Sequence, residues 1–166
     1  MQVIGWLIAL AIGTWAFYSY TDGQFNPNRV PQITGTCEVV LKRNRAGYFT
    51  AGGTINGHPV QFLLDTGATQ IAIPTQLARR LELKLGVPVQ LETAAGPARG
   101  HTTRLASVRL ASLELKDAGA IVAEGLHQDM VLLGMNFLRR LEIVQRGDEM
   151  ILRPDRESGK QEAVRQ

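Results

Sequence analysis

Val60-Gln61-Phe62-Leu63-Leu64-Asp65-Thr66-Gly67-Ala68-Thr69 decides how the rest of the chain is read. A short apolar run ending in an acid and a glycine reads as a buried strand that delivers a carboxylate into a turn. A carboxylate there loses hydration, so it has to be paired, hydrogen-bonded or protonated. Thr66 supplies a hydroxyl that donates or accepts, and Gly67 a backbone that approaches closely and presents its N–H. By itself Asp-Thr-Gly is common in ordinary turns. A second stretch alters the weighting. Met130-Val131-Leu132-Leu133-Gly134-Met135-Asn136-Phe137-Leu138 follows about 70 residues downstream, inside the span of one domain. Two apolar residues and a glycine before a short amphipathic turn suit a strand running beneath another backbone segment, where only glycine fits.

The two stretches in this order resemble the single-lobe, retropepsin-like aspartic proteases. Leu63-Leu64-Asp65-Thr66-Gly67-Ala68 matches the loop that carries the catalytic acid in that family, and Leu132-Leu133-Gly134-Met135-Asn136 matches the segment packed under it. More narrowly, Leu132 to Leu138 is similar to the bacterial membrane-anchored branch, and the resemblance spans about residues 36 to 153. It implies a small, closed, all-β barrel with one or two short helices. It also implies catalysis by Asp65, Thr66 and Gly67, support from Leu132, Leu133 and Gly134 under the loop, and no metal or organic cofactor.

Composition agrees with one β domain and an appendage. The 166 residues are 45% hydrophobic with 17 Gly and 7 Pro, enough for a core with many turns. The net charge of +3 comes from basic residues scattered among acids, without runs or aromatic interleaving, which argues against nucleic acid. Cys37 is the only cysteine, so an internal disulfide and a cysteine zinc site are excluded. His58, His101 and His127 stand apart from one another, without metal-ligand spacing. There is no G-x-S-x-G elbow and no P-loop lysine after the glycines at 52–57.

Met1 to Tyr20 is uncharged and near the roughly 20 residues that cross a bilayer, with Trp15, Tyr18 and Tyr20 suited to an interfacial belt. It lacks the basic start and small-residue site of a cleaved signal, so an uncleaved anchor is expected. Gly5, Ala9 and Gly13 lie on one helix face, as in a close helix–helix contact, although membrane helices are rich in such residues anyway. Residues 21–35 read as a linker lifting the domain off the bilayer, 36–153 as the protease domain, and 154–166 as a disordered polar tail. The resemblance places the domain on the periplasmic side of a bacterial inner membrane.

Asn56-Gly57 is the strongest hairpin turn in the chain and feeds the strand ending at Asp65. Thr93 to His101, small and Gly/Pro-bearing between two strand-like runs, reads as an exposed hairpin tip. The family carries its substrate-covering flap here, which would comprise Ala94, Ala95, Gly96 and Pro97. Further strands are expected over 118–123 and in a last hairpin about Gly147-Asp148, with a helix from Met135 to Leu141.

Asp-Thr-Gly occurs once. Aspartic proteases need two carboxylates that share a proton, so the resemblance implies a homodimer with Asp65 facing Asp65 and a polypeptide substrate. Two other readings stay open: a membrane-tethered β domain that binds peptide or protein without cutting it, and a protease that processes only itself.

Overall fold

The computed structural model of the chain describes residues 10–16, 21, 23–34, 38–93, 96–126 and 129–155. Its centre is the hairpin β3 (Thr50–Ile55) and β4 (His58–Leu64), paired antiparallel from Thr50↔Leu63 to Ile55↔His58. Asn56 and Gly57 turn it with φ of 50° and 82°, both positive as a two-residue type I′ turn requires. The Asn56 side chain also accepts from the Ser107 N–H, tying the turn to a distant strand.

Around this hairpin the chain closes a barrel. The sheet order is β3-β4-β9-β5-β8-β7-β6, where β5 is Ile71–Pro74, β6 Pro88–Thr93, β7 Gly96–Leu110, β8 Leu113–Ala123 and β9 Met130–Leu133. Contacts of β3 with β7 at Thr54↔Arg109 and Ile55↔Val108 join the two ends, leaving β6 outside the ring. Along β7 and β8 the inward face shifts by one residue at the Ala106/Asp117 break, so Leu105 on one side of it and Val108, Leu110, Leu113 and Leu115 on the other all lie in the core with Ile55, Phe62, Ile71 and Val131. The strand expected over 118–123 is the second half of one long strand, β8, which pairs with β7 on both sides of a local break where Asp117 takes φ 51°.

A second, four-stranded sheet has the order β1-β2-β11-β10: Gln32–Thr34, Glu38–Lys42, Glu149–Pro154 and Leu141–Arg146. The last hairpin is found as expected about Gly147-Asp148, and its β11 pairs with β2. Two short helices complete the fold, α1 (Thr75–Arg80) and α2 (Met135–Leu138). The second ends earlier than the expected Leu141, because Leu141 starts β10 opposite Pro154.

Residues 24–29, within the expected linker, lie against the domain instead of leading away from it. Buried Asn28 accepts from Lys42 N and donates to Lys42 O and Thr50 O, each at 2.7 Å. Gln24 and Phe25 bond the turn after β2, and Asn26 accepts from Gln61 of β4. Composition alone missed this, since Asn and Pro suit a spacer and a clamp equally. Of the apolar N-terminal stretch, residues 10–16 are helical with exposed side chains; 1–9 and 17–20 lie outside the described residues, as do Cys37 and 156–166. Among the described residues no helix is long and apolar enough to cross a membrane.

Candidate active site

Parallel pairing sets the site. β4 and β9 run side by side with Leu63↔Leu132 and Leu64↔Leu133, so the two motifs found in the sequence end at the same level of the barrel. On its other flank β4 is held by β3, where Leu64 N donates to Phe49 O. Asp65 N donates to Leu133 O at 3.2 Å, which fixes the backbone at the point where the chain leaves the sheet. The loop then folds on itself. Gly67 N donates to Asp65 Oδ1 at 2.9 Å and Ala68 N to Asp65 O at 3.3 Å. The bond from Gly67 aims the carboxylate.

The Asp65 side chain is half-buried, and Thr66 and Gly67 are exposed. The expected strand interior is therefore only one residue deep: Phe62 is fully buried, while Leu63, Leu64 and Asp65 are not. The reason is position. The acid stands beyond the last rung of the ladder, at the domain surface. No hydrogen bond of the Thr66 hydroxyl is found among the described residues.

Beneath the loop, Gly134 lies close against another backbone segment. A Cβ there would lie 2.4 Å from Gln70 O and 2.8 Å from Ala68 O, both backbone atoms. With no side chain in the way, α2 approaches closely enough for Met135 N to donate to Ala68 O at 2.8 Å and Asn136 N to Thr69 O at 3.1 Å. Leu133 is fully buried and Leu132 half-buried.

Asn136 is the residue that sequence reasoning passed over. Its Oδ1 accepts from Ile71 N at 3.1 Å and its Nδ2 donates to Gly119 O at 2.7 Å, so one side chain joins α2, the exit of the Asp65 loop and β8. Its place directly after Leu132-Leu133-Gly134-Met135 was the available signal. Asn136→Leu strands a donor and an acceptor on neighbouring backbone, for an expected loss of about 2–3 kcal/mol. Urea unfolding with an unchanged slope would measure it, and a loss under about 0.5 kcal/mol would show that the clamp carries no load.

Where the resemblance implies a flap, the described residues form a hairpin. β6 and β7 pair up to Thr93↔Gly96, and Thr93 Oγ1 donates to Gly96 O at 2.7 Å. Gly96 has φ +106°, as a tight hairpin end requires. Exposed Pro97 pairs with Glu92 in the ladder; Ala94 and Ala95 lie outside the described residues. The β4–β9 pairing brings Asp65 together with Leu132–Gly134, and the β6–β7 hairpin belongs to the same closed sheet, β7 also pairing with β3. Asp129, which precedes β9, pairs with Arg80 at 2.9 Å. Among the described residues no group of His, Cys, Asp or Glu is placed to hold a metal ion.

The comparisons agree with this geometry. Residues 51–140 match the model of the family described as "gag-polyprotein putative aspartyl protease", a span that contains both Asp65–Gly67 and Leu132–Gly134. The chain is similar to a crystal structure of a retropepsin-like aspartic protease from Rickettsia conorii, with 30% identity and a TM-score of 0.57 over 69% of this chain and 89% of that one. Among curated relatives, an uncharacterized protein of Sinorhizobium sp is 36% identical over 76% of this chain and 58% of its own length. Another, from Rickettsia prowazekii (strain Madrid E), is 31% identical over 63% of this chain and 46% of its own. The chain thus spans about half the length of these curated relatives. With the paired motifs, the closed barrel and the matched span in agreement, the chain belongs to the gag-polyprotein aspartyl protease family, a family of retropepsin-like aspartic proteases.

Proposed function

We propose that the protein is an aspartic endopeptidase, active as a homodimer in which Asp65 of each chain faces the other across a two-fold axis. The carrying observation is that a single Asp-Thr-Gly loop stands half-exposed at the domain surface, its backbone held by β9 and its Thr66 hydroxyl without a partner among the described residues. Half of an active site is what one chain supplies.

Two carboxylates brought together cannot both ionise readily, so they hold one proton between them. The ionised one takes a proton from water as it attacks the peptide carbonyl, and the protonated one donates toward the developing oxyanion. The Gly67 N–H keeps each Asp65 aimed, and the β6–β7 hairpin covers an extended peptide by main-chain pairing. Activity is expected to be greatest under acid conditions, where the shared proton is held. The uncharged segment 1–20 anchors the chain in a bilayer, with the domain on the periplasmic side of a bacterial inner membrane.

Mixing tests the shared site. Full-length chain is combined at constant total protein with its Asp65→Asn variant, and cleavage of an unstructured polypeptide is followed from acid to neutral pH. Random pairing of equal amounts gives about one quarter of the wild-type rate if only homodimers of intact chains cut. A rate of one half means that each chain acts alone and removes the dyad.

A further inference from the structure

The fold leaves apolar side chains uncovered in one region above all. Phe25, Val30, Ile33 and Tyr48 are between 50% and 84% exposed, and outside the N-terminal segment only Leu85 and Val87 join them among the described large hydrophobics. The four belong to the segment that follows the apolar N-terminus or to the turn it grips. Gln24 O accepts from Arg45 N at 3.1 Å and Phe25 O from Asn44 Nδ2 at 3.2 Å, so the turn carrying Tyr48 is tied to residues 24–25. Gln24 lies four residues after Tyr20, a reach of at most about 14 Å.

We infer that Phe25 and Tyr48 rest in the headgroup layer of the same bilayer that residues 1–20 enter, holding the Asp65 loop close to the membrane and restricting cleavage to polypeptide segments that emerge beside it. This rests on the anchor and protease readings above. Tyr48, an aromatic ring with one polar end, suits that layer, and Phe25 adds apolar area beside it. Of the cations nearby, Arg43 is paired with Asp148 at 3.3 Å and Lys42 stands opposite Glu149 in the ladder, while Arg45 keeps its charge, its hydrogen bond going to the neutral Gln24 amide. The contact that Phe25 and Tyr48 make is apolar, and on a zwitterionic bilayer it is insensitive to salt.

The register then sets the height of the site. Phe49, next to Tyr48, accepts the hydrogen bond from Leu64, the residue before Asp65. Tyr48 and Asp65 thus sit about one strand spacing apart, on the order of 5–10 Å. Two copies inserted in one orientation are related by an axis along the membrane normal, so both Asp65 loops stand at the same height.

The test uses the full chain with Asp65→Asn and Cys37→Ser, in phosphatidylcholine vesicles. A single environment-sensitive label is placed at Phe25→Cys, Tyr48→Cys or Leu85→Cys, and quenched by nitroxide lipids. Labels at 25 and 48 are expected to be quenched at least about threefold more than at 85, unchanged between about 0.1 and 0.5 M salt. Equal quenching at all three sites overturns the inference. A blue-shifted label without lipid quenching also overturns it and assigns the patch to a second copy or another protein. Failure of the chain to float with vesicles removes the anchor and the inference together. In a second arm, intact enzyme meets an unstructured polypeptide tethered to the vesicle. Cuts are expected within about ten residues of the bilayer. Cuts spread evenly along the polypeptide overturn the restriction, whereas quenching without any cleavage upholds the docking and removes the protease reading instead.

Discussion

Asp65→Asn is expected to slow peptide cleavage by at least about 10³-fold while leaving the fold intact. The size of the loss follows from the chemistry. A dimer of the variant carries two amides in place of two carboxylates, so it has neither the base that takes a proton from water nor the acid that protonates the oxyanion. Positioned proton transfer is worth about 10²–10⁴-fold for one group, and here both are removed together. Preservation of the fold follows from the geometry. The Asp65 side chain takes one hydrogen bond, from Gly67 N, and an amide oxygen in the same place can still accept it. The backbone bonds of Asp65 to Leu133 and Ala68 do not involve the side chain. A thermal midpoint within about 3 °C of the wild type, with no detectable product at acidic pH, is the expected pair of results. A variant that retains more than about a tenth of the rate at equal purity would remove Asp65 from the chemistry altogether.

Gly134→Ala is expected to damage stability and the site at once, by about 3 kcal/mol and at least about 10²-fold in rate. Backbone conformation is not the cause. Gly134 has φ −86° and ψ −177°, which alanine adopts freely. The obstacle is space, because the new Cβ would meet Gln70 O, Gln70 C and Ala68 O at 2.4, 2.6 and 2.8 Å. These are backbone atoms with no rotamer to change, so either α2 withdraws or the stretch from Ala68 to Gln70 moves. Withdrawal breaks the bonds from Met135 N and Asn136 N, and movement of Ala68 drags the Asp65 loop with it. A fall in thermal midpoint of about 10–15 °C corresponds to that loss in a domain of this size. Gly119→Ala is the control. The nearest atom to its added Cβ is Gln70 Oε1 at 3.9 Å, an ordinary contact, so little change is expected. If Gly134→Ala behaves like Gly119→Ala, the close packing under the loop is not what holds the site.

Acid conditions do not threaten the experiments through the surface pairs. The Arg104 guanidinium, hydrogen-bonded to Asp117, holds that carboxyl below its ordinary range. A lowered folded pKa gives a contribution that is complete above the ordinary carboxylate range and lost only as pH falls through the lowered value. The pair is fully exposed, so its share of the stability is small in any case.

By itself the sequence determined the parts whose signal is local or chemically rare. Asp65-Thr66-Gly67 after an apolar run was legible only together with Leu132-Leu133-Gly134 before a short helix, because each alone is an ordinary turn or strand signal and their ordered pair is not. Asn56-Gly57 named its own turn, since both residues tolerate positive φ, and the last hairpin about Gly147-Asp148 was marked in the same way. The tertiary structure decided what depends on segments far apart in the chain. It closed the barrel through Thr54 and Ile55 against Val108 and Arg109. It used Asn28 to fasten residues 24–29 onto the domain and Asn136 to join the loop exit to β8. An asparagine in a spacer and one in a clamp have the same local sequence signature. What separates them is a buried backbone carbonyl or N–H, contributed from many residues away, that would otherwise go unsatisfied.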